Sequence, residues 1–356
     1  MTRVGGLWPL LTSWPNLVQA LERAALGKRS RPDVARFVID WEPRVLELQR
    51  DLEDGSYRPA GYLTFRVTDP KPRLISAAPF RDRVVHHALT QMLEPVFEPR
   101  FVDQSYACRT GFGTHRAVEA AHAACAAFPY VLQCDVRKFF PSIDHQILKS
   151  QLAKAVKCRP TVGLAERIID GSNPQEPVHL YFPGDDLFTP SERRHGLPLG
   201  NQTSQFFANV YLNDLDQFVL REIQPRVYCR YVDDFLLFHE DKGFLRDARE
   251  RVEAHLETLR LRLHEGKSRT HRTQDGITFL GWRLFPDHRR LARANVVRFR
   301  RRLRRLEQDY AAGLVEWEEV NASVQAWNAH ASHGDTWRLR EQVFGQHGFS
   351  RKGDGD

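Results

Sequence analysis

Val227-Tyr-Cys-Arg-Tyr-Val-Asp-Asp-Phe-Leu-Leu-Phe-His239 is the most informative run in this chain. Two apolar, β-rich segments flank Asp233 and Asp234, which predicts a β-hairpin with both acids at or beside its tight turn. The turn has no Gly or Asn-Gly, yet Asp tolerates turn backbone better than most residues. Adjacent carboxylates between apolar runs repel each other and are costly to desolvate. A divalent cation stabilises such a pair best, and hard oxygen ligands suit Mg²⁺ or Mn²⁺. An isolated Asp-Asp is ordinarily a solvated turn, but here the bracketing runs are too apolar for that.

A second acid strengthens the case. Tyr130-Val-Leu-Gln-Cys-Asp-Val-Arg-Lys-Phe-Phe-Pro-Ser-Ile-Asp144 begins as a buried strand with Asp135 at its end. Two-metal phosphoryl transfer needs carboxylates from separate elements converging on cations ~3.5–4 Å apart. A strand-end Asp beside a hairpin-turn pair supplies that geometry. Asp135 with the Phe-Phe that follows, together with Tyr231-Val-Asp-Asp234, resembles the palm-domain metal motifs of reverse transcriptases. The two motifs stand in the order that family has.

Composition sets the outer bounds. The 356 residues exceed what one small core needs, so more than one domain or subdomain is expected. With 42% hydrophobic and 27% charged residues, the chain is a soluble globular type. A net charge of +7 and a pI near 9.3 point to a polyanionic partner. Five scattered cysteines without a Cys-x-x-Cys pair argue against a zinc site and fit a reducing compartment. The fifteen histidines, including His86-His87, show no ligand spacing and read as solvated or core. No uninterrupted apolar run is long enough to span a bilayer. Leu7-Trp-Pro-Leu-Leu11 is too short and broken to be a signal-peptide core, so the expected location is the cytoplasm, without membrane association.

Along the chain, residues 1–50 read as helices. Asn16 is the expected cap of one that ends at Gly27, and prolines stand near the starts of two more. Tyr62–Val67 and Arg73–Ser76 predict a hairpin joined by Asp69-Pro-Lys-Pro72. A helix from Phe80 is followed by the glycine-rich Ala107–His115 loop and an alanine-rich helix over 116–127. Helices are also expected over Ile143–Val156, Phe206–Leu220 and 244–263. A strand-turn-strand is expected at Gly276–Trp282. Ten arginines fall between 283 and 305, and the latter half of that segment reads as a basic helix with Leu291, Val296, Val297, Leu303 and Leu306 on its apolar side. So many unmatched arginines repel one another unless a polyanion is bound. Trp317, Trp327 and Trp337 read as core residues.

The resemblance implies an α+β right-hand polymerase. An N-terminal helical extension (1–56) precedes fingers (57–130), a palm (131–285, with an insertion over 159–195), a helical thumb (286–346) and a disordered tail (347–356). It implies that Asp135, Asp233 and Asp234, with the Val136 carbonyl, hold two Mg²⁺ ions. It places Lys267 near the leaving pyrophosphate as general acid, and Lys71 and Arg73 at the triphosphate. A guanidinium grips phosphate bidentately, as an ammonium cannot. Phe140 matches the position that excludes a 2′-hydroxyl, with Phe139 beside it, although a plain core role for Phe139 is the stronger reading.

In Gly196-Leu-Pro-Leu-Gly-Asn-Gln-Thr-Ser-Gln205, Leu199 stands where most reverse transcriptases have Gln. This Leu-Gly-x-x-x-Ser-Gln form, with Leu199 and Gln205 facing substrate, is similar to the enzymes of diversity-generating retroelements. These make error-prone cDNA from a template RNA. The implied partners are template RNA, an RNA/DNA primer duplex, dNTPs and a small basic accessory protein. Alternatives are a defence-associated or group II intron-like reverse transcriptase, or a silent RNA-binding protein on a polymerase scaffold. The short tail is taken to count against the intron setting, and the three retained acids against the silent one.

Overall fold

The structure, a computed structural model, describes residues 2–68, 72–172 and 176–350. Four helices open the chain: α1 (Leu7–Leu11), α2 (Trp14–Ala25), α3 (Pro32–Ile39) and α4 (Trp41–Glu53). In α2 the expected cap is displaced. Proline is pre-set for a helix's first turn, so Pro15 carries the helix start back to Trp14 with Ser13 as N-cap. Asn16 is buried inside α2, and its amide donates to the carbonyls of Leu11 (2.8 Å) and Ala88 (3.3 Å). Leu17, Ala20, Leu21 and Ala24 form one buried stripe at helical spacing. They pack on α5 (Phe80–Phe97), which follows the two-stranded ribbon of β1 (Leu63–Val67) and β2 (Arg73–Ala77).

The central sheet is antiparallel, in the order β4-β5-β3-β6. After α6 (Thr114–Ala127) comes β3 (Tyr130–Asp135). The short α7 (Phe139–Ser142), α8 (His145–Ala155), α9 (Arg159–Asp170), α10 (Thr189–Glu192) and α11 (Gln202–Phe218) separate it from the hairpin β4 (Val227–Tyr231) and β5 (Asp234–His239). Then α12 (Lys242–Thr258) leads to β6 (Arg269–Arg272). Strands β3 and β5 are covered on both faces, which explains why they read as near-continuous apolar runs, whereas the edge strand β6 (Arg-Thr-His-Arg) is largely exposed. Leu132, Cys134, Tyr228, Phe235 and Leu237 join the larger core with the helices. Their alternates Val131, Cys229, Leu236 and Phe238 join a second core with α6. The helix expected from Ile143 starts at His145, because the Asp144 carboxylate accepts from the Ile147 amide (3.0 Å) and caps it there.

A second antiparallel ribbon joins β7 (Ile277–Phe279), β8 (Trp282–Leu284) and β9 (Arg289–Leu291). Leu280 and Gly281, the two turn residues between β7 and β8, both have positive φ (47° and 86°). That is the type I′ turn suited to a twisted hairpin. Helices α13 (Arg293–Ala311), α14 (Trp317–Ala331) and α15 (Trp337–Phe344) close the fold around buried Phe299, Leu303 and Val343. Trp327 stacks on Phe299 with centroids 4.0 Å apart.

Three expectations for this region are corrected. Trp317 and Trp337 are 48% and 67% exposed rather than core, because each opens its helix beside the buried stripe instead of within it. Val297 is 40% exposed, one position off the 296–299–303–306 stripe, where Phe299 supplies the anchor instead. Residues 347–350, expected in the tail's disorder, pack back on the helices: His347 pairs with Glu307 (2.8 Å) and Phe349 meets the ring of Trp317. The rest of that expectation, 351–356, lies outside the described residues. Among the described residues, no helix is long and apolar enough to cross a membrane.

Candidate active site

β3 and β5 pair in a register that puts Asp135 directly opposite Asp234. Tyr231 and Asp234 close the β4–β5 hairpin, so Val232 and Asp233 are its two turn residues. The positive φ of this turn (57°) falls on Val232 and not on an Asp. Sequence reasoning assigned the turn's tolerance to aspartate. Instead a β-branched residue carries the strained conformation, the sort of outlier that clusters at working sites. The amide of Val136 donates to the Asp233 carbonyl (3.1 Å), tying the turn to the end of β3. All three acids are thereby brought to one edge of the sheet.

The electrostatics of this edge are unfavourable for bare carboxylates. Burial pushes Asp234 up to about 7, with the charges of Asp135 and Asp233 acting in the same direction. Burial, and then Asp135, also raises Asp233 above the ordinary carboxylate range. Lys267 opposes both shifts, and its ammonium donates to the two carboxylate oxygens of Asp135 at 2.9 and 2.8 Å. The charge of Arg73, on β2, bears on Asp233 with the same sign. Lys71 lies outside the described residues.

The donor set fits a hard divalent cation: three carboxylates, two of which burial makes costly to charge without one. The hydrogen bonds beside Val136 run from His264 N to Asp135 O and from Arg137 N to Arg262 O, so neither uses the Val136 carbonyl. As they stand, no three His, Cys, Asp or Glu side chains among the described residues converge as a metal group. In this structure the Asp135 carboxylate is ion-paired with Lys267 (2.8 Å).

A second group of expected residues surrounds the segment before α11. The Ser76 amide of β2 donates to the Leu199 carbonyl (3.1 Å), and Asn201 bridges back to β2 through Ser76 O (3.0 Å) and Ala78 N (3.2 Å). Gly200 has φ of 109°, and a Cβ there would stand 3.0 Å from the Ile75 side chain. Earlier in this segment, the Leu197 amide donates to the Phe140 carbonyl (2.9 Å). Phe140, Leu199 and β2 with Arg73 are therefore linked through one backbone network. Phe139 is buried in the core, whereas Phe140 is partly exposed. Gln205 is exposed on the first turns of α11.

Several supporting residues were not singled out by the sequence. Gln133 donates to Asp234 (3.4 Å) and to the Thr278 carbonyl (2.9 Å), and the Ser268 hydroxyl accepts from the Asp135 amide (3.4 Å). Both are ordinary polar residues with no spacing signal. Arg230 had one: a charged residue in the middle of an apolar strand.

Residues 67–284 match the family model described as reverse transcriptase (RNA-dependent DNA polymerase). The chain is 26% identical over 293 residues to Protein YkfC of Escherichia coli (strain K12), covering 71% of this chain and 74% of that protein. It is 24% identical over 185 residues to the group II intron-encoded protein LtrA of Lactococcus lactis subsp. cremoris, over 51% of this chain and 29% of LtrA. Over 87 residues it is 34% identical to nuclear intron maturase 1, mitochondrial, of Arabidopsis thaliana, covering 24% and 12% of the two chains. With the family match spanning more than half of its length and enclosing Asp135, Asp233 and Asp234, the chain belongs to the reverse transcriptase family.

Proposed function

We propose that the chain is an RNA-directed DNA polymerase that extends a primer 3′-hydroxyl with dNTPs copied from an RNA template. The observation that carries this reading is the register of Asp135 opposite Asp234, with Asp233 in the adjoining turn and its carbonyl held by the Val136 amide. In this reading β1–β2 and the helices around them are fingers, the four-stranded sheet is the palm, and α13–α15 are a thumb. Asp135, Asp233 and Asp234, with the Val136 carbonyl, would hold two Mg²⁺ ions. When bound, these lower the pKa of the attacking hydroxyl and neutralise the triphosphate and the leaving group.

The chain's own groups do the rest. Arg73 grips the incoming triphosphate, and Phe140 crowds the sugar. Leu199 offers no side-chain hydrogen bond to the nucleotide or template, so selection there rests on shape. Lys267 exchanges its bond with Asp135 for the leaving pyrophosphate, where negative charge develops. The arginines of α13 track the duplex by its phosphates and carry little sequence information.

The test is primer extension on poly(rA)/oligo(dT) with divalent metal. Asp233→Asn should abolish extension and leave RNA binding intact. Unchanged polymerisation by that variant removes the site, and an inactive wild type that still binds RNA supports a silent scaffold.

Two biological settings follow from different observations. Leu199-Gly200 with Ser204-Gln205 favours cDNA synthesis in a diversity-generating retroelement, with a small basic accessory protein. Similarity to LtrA and to an intron maturase favours a group II intron-like enzyme equally. Sequencing cDNA from a defined RNA separates them: errors concentrated at template adenine support the retroelement, and a flat spectrum removes it.

A further inference from the structure

Arg230 is fully buried on β4 and makes five side-chain hydrogen bonds. Two go to Asp216 of α11, itself fully buried (Nε to Oδ1 2.7 Å, Nη2 to Oδ2 2.6 Å). Others reach Ser105 Oγ (2.8 Å) and Asn209 Oδ1 of α11 (3.3 Å). The Tyr228 hydroxyl also donates to Asp216 (2.8 Å). The remaining bond runs forward two residues, from Nη1 to the Val232 carbonyl (3.0 Å). That carbonyl belongs to the peptide between strained Val232 and Asp233. Rotating this peptide would re-aim the Asp233 amide and side chain.

The turn is thus held from two sides. Arg230 fixes the carbonyl before Asp233, and the Val136 amide fixes the carbonyl of Asp233 itself. A turn with positive φ on a β-branched residue persists only where its surroundings over-determine it. The guanidinium spreads its donors over three nitrogens, so Nε and Nη2 meet the Asp216 carboxylate while Nη1 reaches the Val232 carbonyl; a lysine has one nitrogen and cannot stand at both places.

We propose that Arg230 is a positioning residue. Anchored by Asp216, it locks the Val232–Asp233 peptide so that the Asp233 carboxylate faces Asp135 and Asp234 ready for a divalent cation. The inference rests on the polymerase reading only where activity is the readout.

The test compares wild type with the double variant Arg230→Met/Asp216→Asn. Removing both charges avoids a lone buried carboxylate, and the amide oxygen that replaces the Asp216 carboxylate can still accept from Tyr228. The double variant should melt cooperatively with a wild-type circular dichroism spectrum and bind RNA/DNA duplex as wild type does. Its Mn²⁺ affinity, measured by electron paramagnetic resonance, should fall ~10–100-fold, the range for residues that orient metal ligands. In extension assays kcat should fall and excess Mn²⁺ should restore part of it, with the dNTP KM little changed.

If the double variant does not fold, Arg230→Lys carries the same comparison, since it keeps the ion pair but cannot also hold the Val232 carbonyl. A folded variant with wild-type Mn²⁺ affinity overturns the proposal. If wild type binds Mn²⁺ yet extends no primer, the polymerase reading falls, while the affinity difference still decides the role of Arg230.

Discussion

Replacing Asp234 with Asn should stabilise the metal-free protein at pH 8, the reverse of what deleting a catalytic acid does to activity. Burial and two neighbouring carboxylates push Asp234 from 3.8 up to about 7. Between those values the folded state holds a proton that the unfolded chain has released, so stability is fully present below about 4 and is lost as pH rises through about 7. A shift of this size corresponds to a ceiling of about 4 kcal/mol. The measured gain should be on the order of 1–3 kcal/mol, because Asn keeps the buried polar group and Gln133 still meets it. For a chain of this size that is a rise of several degrees in Tm.

Thermal melts in EDTA at pH 5 and pH 8 check this. Wild type should lose stability between them relative to Asp234→Asn, and Mg²⁺ at pH 8 should recover the loss in wild type more than in the variant. Equal pH dependence of the two proteins, or an Asn variant no more stable than wild type at pH 8, would show that the acidic cluster is not a buried, unfavourable charge. The physical argument for cation binding would then lose its basis.

Three further outcomes are expected. Lys267→Met should lower kcat for primer extension by ~10²-fold, the low end for a positioned proton donor, and leave duplex affinity unchanged; steady-state kinetics with a binding titration would show it. His86 is buried with neither ring nitrogen hydrogen-bonded among the described residues, and burial lowers its pKa from 6.5 to about 3. The folded state then resists a proton that the unfolded chain accepts, so stability is lost as pH falls from 6.5 toward 3, by about 2 kcal/mol between pH 7 and pH 5; denaturant melts of His86→Leu should lack that component. Replacing exposed Arg301 and Arg304 of α13 with Gln should reduce the slope of log K against log salt for duplex binding by about 1.5, near the value for two lost phosphate contacts.

The sequence was sufficient for the acids and for their neighbours along the chain. Asp233 and Asp234 between apolar runs required a hairpin, and Asp135 ending an apolar run required a strand. A period-2 pattern and a charge at an apolar boundary are local signals, read over a few residues. Where local rules competed, boundaries moved: Pro15 set the start of α2 ahead of Asn16, and the Asp144 cap moved the start of α8 from Ile143 to His145. On α13 the arginines drew attention to charge and hid Phe299, the residue that buries the helix.

Only the tertiary structure decided which acid faces which. Asp135 opposite Asp234 is a property of β3–β5 register, which depends on side chains packed on both sheet faces and not on either strand alone. The same holds for Lys267 on Asp135, for the tie between β2 and the segment at Leu199, and for Val232 bearing the strained φ. The sequence by itself determined the chemistry this chain can offer, because residue type carries it. Distance, burial and backbone strain, which set the charge state and aim of those residues, arise from contacts between segments far apart in the chain and had to be seen in three dimensions.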